Sequence, residues 1–408
     1  MMRLILIGTC SLSAVLPLQQ ARFDDVVRNL RNPDPEVRLD ALRMLRESQH
    51  VEAITPIAPL VNDPLDGVQL EAIAAELSFY LVENVAPRKK VAFIIETRSG
   101  AGRAQTAFEA GPLAVWPRPV PEALVANLLK AVEDDNAKVR IEAIYALGTI
   151  ARGPLPSDAD QQLIKALDHY DPAIRAGSAR VLGRLQVKSA GQALIKAVND
   201  SQEPVRFAAM RALGAIREES AITALTQQVD YYKKSEGAWS ALDALAHIGH
   251  PSSVPLFKAR LVDKDAYMRR AAAEGLARAG DSSELAALET GASTDPADTV
   301  RAAMAFALQK LGRNYVPRLA ESLKSDKLAR QVAEYFIELG PSLAASLAPH
   351  LKDPDEAIRA NAALILGAIG SQAEVVALEP VTKDRDREVA RAATRAIERI
   401  KMRATQGP

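Results

Sequence analysis

A single cysteine, Cys10, excludes a disulfide framework and any thiolate metal cluster. Aromatic residues make up only 4% of the chain, too few large rings to suit a sandwich or barrel core, whereas abundant small residues suit closely approaching helices. No excess of either charge exists. Lys+Arg and Asp+Glu are both 51, which disfavours a nucleic-acid binder, although local basic patches remain compatible with neutrality. No apolar run approaches the roughly 20 residues of a membrane span. Glycine-rich phosphate loops, a serine elbow and a convergent cysteine–histidine set are also missing.

What the chain has is a repeat. Asp63, Asp134, Asp200, Asp263, Asp295, Asp353 and Asp384 each lie six residues before a marker position, respectively Gln69, Arg140, Arg206, Arg269, Arg301, Arg359 and Ala390. Arg38, Arg175, Ala238 and Ala329 are further markers without that aspartate. Most steps between markers fall near 31 residues, and one, from Gln69 to Arg140, is 71. Such a period means a stacked array whose units bury their apolar faces only against neighbours.

Counting from the marker, position +3 is usually alanine and +7 usually leucine, as in Ala143 and Leu147 or Ala272 and Leu276. Apolar residues at 0, 3, 4 and 7 form one helical stripe. Glycines at +8 (Gly183, Gly214, Gly367) permit close helix contact, and those at +11 (Gly249, Gly280, Gly312, Gly340, Gly370) stop the helix through a left-handed conformation. A shorter helix precedes each marker, often opening with proline or serine, as in PSSVPLFKARLV (251–262). The unit is helix, turn with aspartate, helix, glycine.

This phrase, fullest in DPDEAIRANAALILGAIG from Asp353 to Gly370, resembles the HEAT repeat, in particular its phycobilisome-lyase HEAT-like variety, over about residues 21–403. The resemblance implies an all-α fold: an α-solenoid, a right-handed superhelix of about eleven to twelve HEAT-like helical hairpins. It also implies that Asp134, Asp200, Asp263, Asp295 and Asp353, with Arg140, Arg206, Arg269, Arg301 and Arg359, form a structural ladder between turns rather than a ligand site. The expected organisation is a signal peptide at 1–20, repeats at 21–86, a degenerate repeat with an insertion at 87–120, the main array at 121–403 and a tail at 404–408.

Residues 1–20 combine Arg3, an apolar stretch from Leu4 to Leu16 and a polar exit at Gln19 and Gln20. They are read as a secretory signal, giving export to the periplasm of a bacterium, with a cytoplasmic location if the segment is a helix instead. In the insertion, VAFII (91–95) reads as a short strand, RAQTAFEAG (103–111) as a decayed marker helix, and the prolines from Pro112 to Pro121 as a stiff extended segment. In the unit at 231–250, Tyr231, Tyr232, Lys233 and Lys234 replace the usual turn.

Chemistry finds little foothold. Related deoxyhypusine hydroxylase holds iron with His-Glu pairs, and none of the five histidines here precedes a glutamate. Asp243, His247 and His250 have the composition of a zinc site, but histidines near a helix end also complement its dipole. No catalytic residue, cofactor or metal is therefore assigned.

Positions +1, +5 and +9 of the marker helices should face outward on the concave side. Tyr145, Phe207, Trp239 and Phe306, with Arg180, Arg184, Arg211, Arg270 and Arg278, compose there an aromatic–arginine surface typical of protein interfaces. The leading reading is a non-catalytic scaffold or adaptor that binds a partner protein on this face. The alternatives are a lyase-like or oxidoreductase-like auxiliary enzyme and, third, a nucleic-acid binder resembling HEAT-like DNA glycosylases.

Overall fold

The structure, a computed structural model, describes residues 23–82, 102–151 and 159–405. The signal segment at 1–20, the VAFII strand and residues 406–408 lie outside the described residues. Among the described residues every extended regular element is helical, as the period requires.

Eleven marker helices recur in the chain: α1 (Pro35–Ser48), α2 (Asp66–Tyr80), α3 (Ala137–Ile150), α4 (Pro172–Arg184), α5 (Glu203–Ala215), α6 (Glu236–Ile248), α7 (Ala266–Arg278), α8 (Asp298–Lys310), α9 (Asp326–Leu339), α10 (Glu356–Ile369) and α11 (Arg387–Ala404). The helices before them are shorter and commonly broken into 3-10 and α turns. The stretch before α10 runs Pro341–Leu343, Ala344–Leu347 and Ala348–Lys352, interrupted at Pro349 because proline there offers no amide for the ladder of helical bonds. The decayed marker helix is present as Arg103–Ala110.

Two compact units divide the chain, one of Met1–Glu109 with Val120–Ile150, the other of Ala110–Pro119 with Ala151–Pro408. The repeat carrying α3 thus groups with the N-terminal repeats, and α4 to α11 form the second unit together with the short proline-rich segment. Within the second unit, adjacent marker helices pack closely because small residues meet small residues. A Cβ placed on Gly183 would come within 2.8 Å of the Ala212 Cα, and one on Gly367 within 2.8 Å of the Ala396 Cα. Gly249 ends α6 in the left-handed region, with φ +66°. Gly370 departs from the expected stop: its φ is −73°, and Ser371 and Glu374 begin the next helix with a reciprocal capping box.

The aspartate–arginine ladder is present. Arg269 donates from Nε and Nη2 to both carboxylate oxygens of Asp295 in the following repeat, at 2.8 Å each. Its Nη1 donates to the main-chain oxygens of Asp263 and Lys264 in its own turn. Arg38 with Asp63, Arg175 with Asp200 and Arg359 with Asp384 repeat this grip. Each aspartate also accepts the amide two residues on, and in the later repeats that residue caps the marker helix, as Asp265, Asp355 and Asp386 do. One planar fork therefore ties the turn of one repeat to the turn of the next.

The ladder breaks where the marker is alanine. With Ala238 in place of arginine, the guanidinium that bonds the Asp263 carboxylate is that of Arg260 in its own repeat, at 3.0 Å. With Ala329 in place of arginine, the His350 ring lies 3.9 Å from the Asp353 carboxylate. Arg206, whose next turn carries no aspartate, donates instead to the Tyr232 hydroxyl at 2.6 Å. Gln69 stands in for arginine and donates to Asp134 at 2.8 Å.

Candidate functional site on the inner helices

The +9 positions identify which side of the second unit is inner. Arg278 of α7 and Glu338 of α9 are both at +9 and bond directly, at 2.8 and 3.0 Å, although α8 lies between their helices. Helices packed side by side lie about 8–10 Å apart, so side chains two repeats away meet only where the stack bends toward them. Arg184, at +9 of α4, lies within electrostatic range of Arg330 and Glu334 on α9, five repeats further along. The +9 row lines the inside of the curve.

Here the expected surface is largely self-satisfied. Phe306 is 0% exposed rather than solvent-facing, stacked on Tyr335 with ring centroids 4.3 Å apart. Arg278 lies over the Phe306 ring, 5.4 Å from its centroid, and also reaches Glu274 at 3.2 Å. Tyr335 donates its hydroxyl to Glu274 at 2.5 Å, and Lys310 reaches Glu338 at 3.3 Å. Arg270 sits 3.6 Å from both Asp243 and Glu274. Three cations (Arg270, Arg278, Lys310) and three carboxylates (Asp243, Glu274, Glu338) thus neutralise one another. Burial acts to raise the Glu338 carboxyl, but the Arg278 bonds and charge outweigh it and hold the group below its ordinary range. Burial, then the adjoining Glu274, pushes the Tyr335 phenol well up, so it stays a donor.

Other expected residues are scattered. Tyr145, in the first unit, is 3% exposed and packs on Phe108; Phe207 is 9% exposed and meets the edge of Tyr232 at 5.7 Å. Both were expected to face solvent. A ring at +1 or +5 covers the neighbouring repeat instead of projecting, because alanine at +3 brings that repeat near. Trp239 is half-buried, stacked on Tyr267 at 4.4 Å, with its indole N–H donated to Asp265 at 2.8 Å. Arg180 is half-buried, while Arg211 is exposed and paired with Glu236 at 2.7 Å. The weighed zinc ligands do not converge: His247 bonds the Asp243 main-chain oxygen at 2.9 Å, whereas His250 turns to Ser252 and caps the Pro251–Ser253 turn.

Two features escaped the sequence reading. Arg399, at +9 of α11, donates to the main-chain oxygens of Leu113 at 2.8 Å and Pro112 at 3.4 Å, and its guanidinium lies 6.0 Å from the Trp116 ring centroid. The segment expected to be extended from Pro112 opens instead with a 3-10 turn, Pro112–Ala114, and that turn lies on the inner row of the last repeat, with Val115 after it buried. Counting +9 from Ala390 marks Arg399, but nothing in its spacing announces a contact 286 residues away. In the first unit, Glu76 fills the +7 position of α2, where leucine is usual; both its oxygens are buried without a hydrogen-bond partner, and burial raises its pKa well above the ordinary value.

With the fold and this geometry described, comparison with known proteins is direct. The HEAT repeats family model matches residues 161–235, 233–309 and 316–398, together more than half of the chain. The chain belongs to the HEAT repeat family.

No curated protein sequence matches it significantly. Among solved structures, an engineered protein from the Northeast Structural Genomics Consortium is 21% identical, covering 93% of this chain and 98% of its own, with a TM-score of 0.42. The complex of CpcE and CpcF of phycocyanin lyase from a Nostoc species is 18% identical over 82% of this chain and 97% of that one, TM-score 0.34. Human deoxyhypusine hydroxylase in complex with glycerol is 20% identical over 69% and 96%, TM-score 0.29. These likenesses concern the repeat fold. Among the described residues no helix is long and apolar enough to cross a membrane.

Proposed function

We propose that this HEAT-repeat chain is a non-catalytic scaffold that binds an extended segment of a partner protein along the inner row of its last repeats. One observation carries the reading: Arg399 already grips a proline-containing stretch through the main-chain carbonyls of its 3-10 turn, Pro112–Ala114, from which the chain runs on to Trp116. Carbonyl recognition by a planar fork depends on backbone course more than on side-chain identity, and a stiff proline-rich segment loses little entropy on docking. Residues 112–116 occupy the row in cis, so a partner segment of like chemistry competes with them. The self-neutralised cluster on α7 to α9 gives the row a fixed curvature rather than a second docking site.

The experiment is competition in trans. A fluorescein-labelled peptide copying residues 110–121 should bind the Trp116→Ala chain, whose own segment is loosened, more tightly than it binds the wild type. Adding Arg399→Ala should abolish that gain. Indifference of the peptide to both changes contradicts the proposal.

A further inference from the structure

The interrupted ladder step between Arg206 and Asp263 has been rebuilt with unusual side chains. Where other repeats place an aspartate turn, this one has Tyr231, Tyr232, Lys233 and Lys234. Lys233 adopts φ +55°, ψ −61°, and the Lys234 amide donates to the Tyr232 oxygen at 2.5 Å, closing a three-residue γ-turn. That conformation is strained for any residue bearing a Cβ and persists only where neighbours over-determine it. Tyr232 supplies the anchor, held by Arg206 and against Phe207. Tyr231 is left outside, 75% exposed, edge-on to Tyr232.

The next turn continues the surface. Val262 is 81% exposed, and half-exposed Tyr267 is fixed by its stack on Trp239. Burial acts to raise the Asp263 carboxyl, but the bonds from Asp265 and Arg260, and then the charge of Lys234, outweigh it and lower its pKa, which puts the two turns side by side. Charge on this edge is unbalanced. Asp263 is met by Arg260, Asp265 by Trp239 and the α7 amides, and Glu236 by Arg211. Lys233, Lys234 and Lys264 are exposed and form no ion pair among the described residues, and the exposed carboxylate of Asp230 on the preceding helix likewise has no salt bridge among them.

We propose that the turn edge of residues 231–234 and 262–267 docks an acidic, extended segment of another protein, its carboxylates meeting the lysines and its proline or aromatic residues covering Tyr231 and Tyr267. Pre-fixed rings give contact area at low entropic cost, and unpaired lysines select an anionic partner. The surface is separate from the inner row gripped by Arg399, and the inference stands without that reading.

Fluorescence anisotropy on the full chain tests it, with a fluorescein-labelled peptide alternating glutamate with proline and tyrosine, and a counterpart in which lysine replaces glutamate. The glutamate peptide should bind at least about tenfold more tightly than the lysine peptide. Lys233→Glu with Lys234→Glu should erase or reverse that preference, and Tyr231→Ala with Tyr267→Ala should weaken the glutamate peptide several-fold. Circular dichroism melts should show the lysine variant folded. Arg399→Ala should leave the affinity unchanged, so failure here is distinguishable from failure of the inner-row proposal. Equal binding of the two peptides, or unchanged affinity after the lysine reversal, overturns the proposal. Tighter binding of an oligothymidylate than of the glutamate peptide overturns it too, assigning the edge to nucleic acid.

Discussion

The junction between Arg269 and Asp295 and the junction between Ala238 and Asp263 follow the same repeat plan, yet only the first carries the fork. In the first, four hydrogen bonds from one guanidinium satisfy two carboxylate oxygens and two carbonyls. In the second, the aspartate is held within its own repeat, and the edge is given to rings and lysines. Both junctions keep the apolar stripe: Ala241, Leu242 and Leu245 of α6 are as buried as Ala272, Ala273 and Leu276 of α7. Burial alone therefore stacks the repeats, and the ladder adds rigidity and register where no partner surface is needed.

Breaking a laddered junction should have the largest effect. Arg269→Ala leaves the Asp295 carboxylate, only 8% exposed, without its counter-charge and should cost about 3–5 kcal/mol, read by chemical denaturation. The comparison can also be run on the core row. Glu76→Leu restores the usual residue at a buried site with no partner and should stabilise the protein by about 1–3 kcal/mol. That gain should grow as pH rises: a carboxyl whose folded pKa is raised binds its proton more tightly in the native state, so stability falls between the ordinary pKa near about 4.3 and the raised value.

A smaller effect is expected where tyrosine substitutes for aspartate. Tyr232→Phe removes one bond from Arg206 and should cost about 1–2 kcal/mol. Smallest of all, Asp353→Asn lies at an unladdered junction and keeps its turn-closing acceptor, so the change should stay within about 0.5 kcal/mol. Acid titration sharpens the contrast. Arg359 holds Asp384, and Arg175 holds Asp200, below the ordinary carboxylate range. Their contribution is present above about pH 3.9 and lost as pH falls through the lowered values. The stability difference between wild type and Arg359→Ala should accordingly shrink below about pH 4.

Much of this was legible from the residues. The six-residue offset from aspartate to arginine encoded the ladder, and Ala238 and Ala329 announced two of its breaks; Arg206, which turns to Tyr232, and Arg301, which meets Asp298 of its own repeat, lack an aspartate in the next turn. Alanine at +3 and glycine at +8 foretold close helices. The inner face was read less well, because the +1 and +5 positions were treated as those of an isolated helix. Curvature decides their exposure, and curvature comes from small tilts accumulated over several repeats, which no single 31-residue phrase records. For the same reason Glu338 and Tyr335 could not be paired with α7, and the docking of Leu113 on Arg399 was out of view.

The most direct measurement is a double-mutant cycle on Arg269→Ala and Asp295→Ala, with stability taken from denaturation of the full chain. A coupling energy of about 2–3 kcal/mol is predicted, as for a shielded two-pronged pair. Additivity within about 0.5 kcal/mol would contradict the account, leaving the recurrent arginine and aspartate without the inter-repeat role on which it rests.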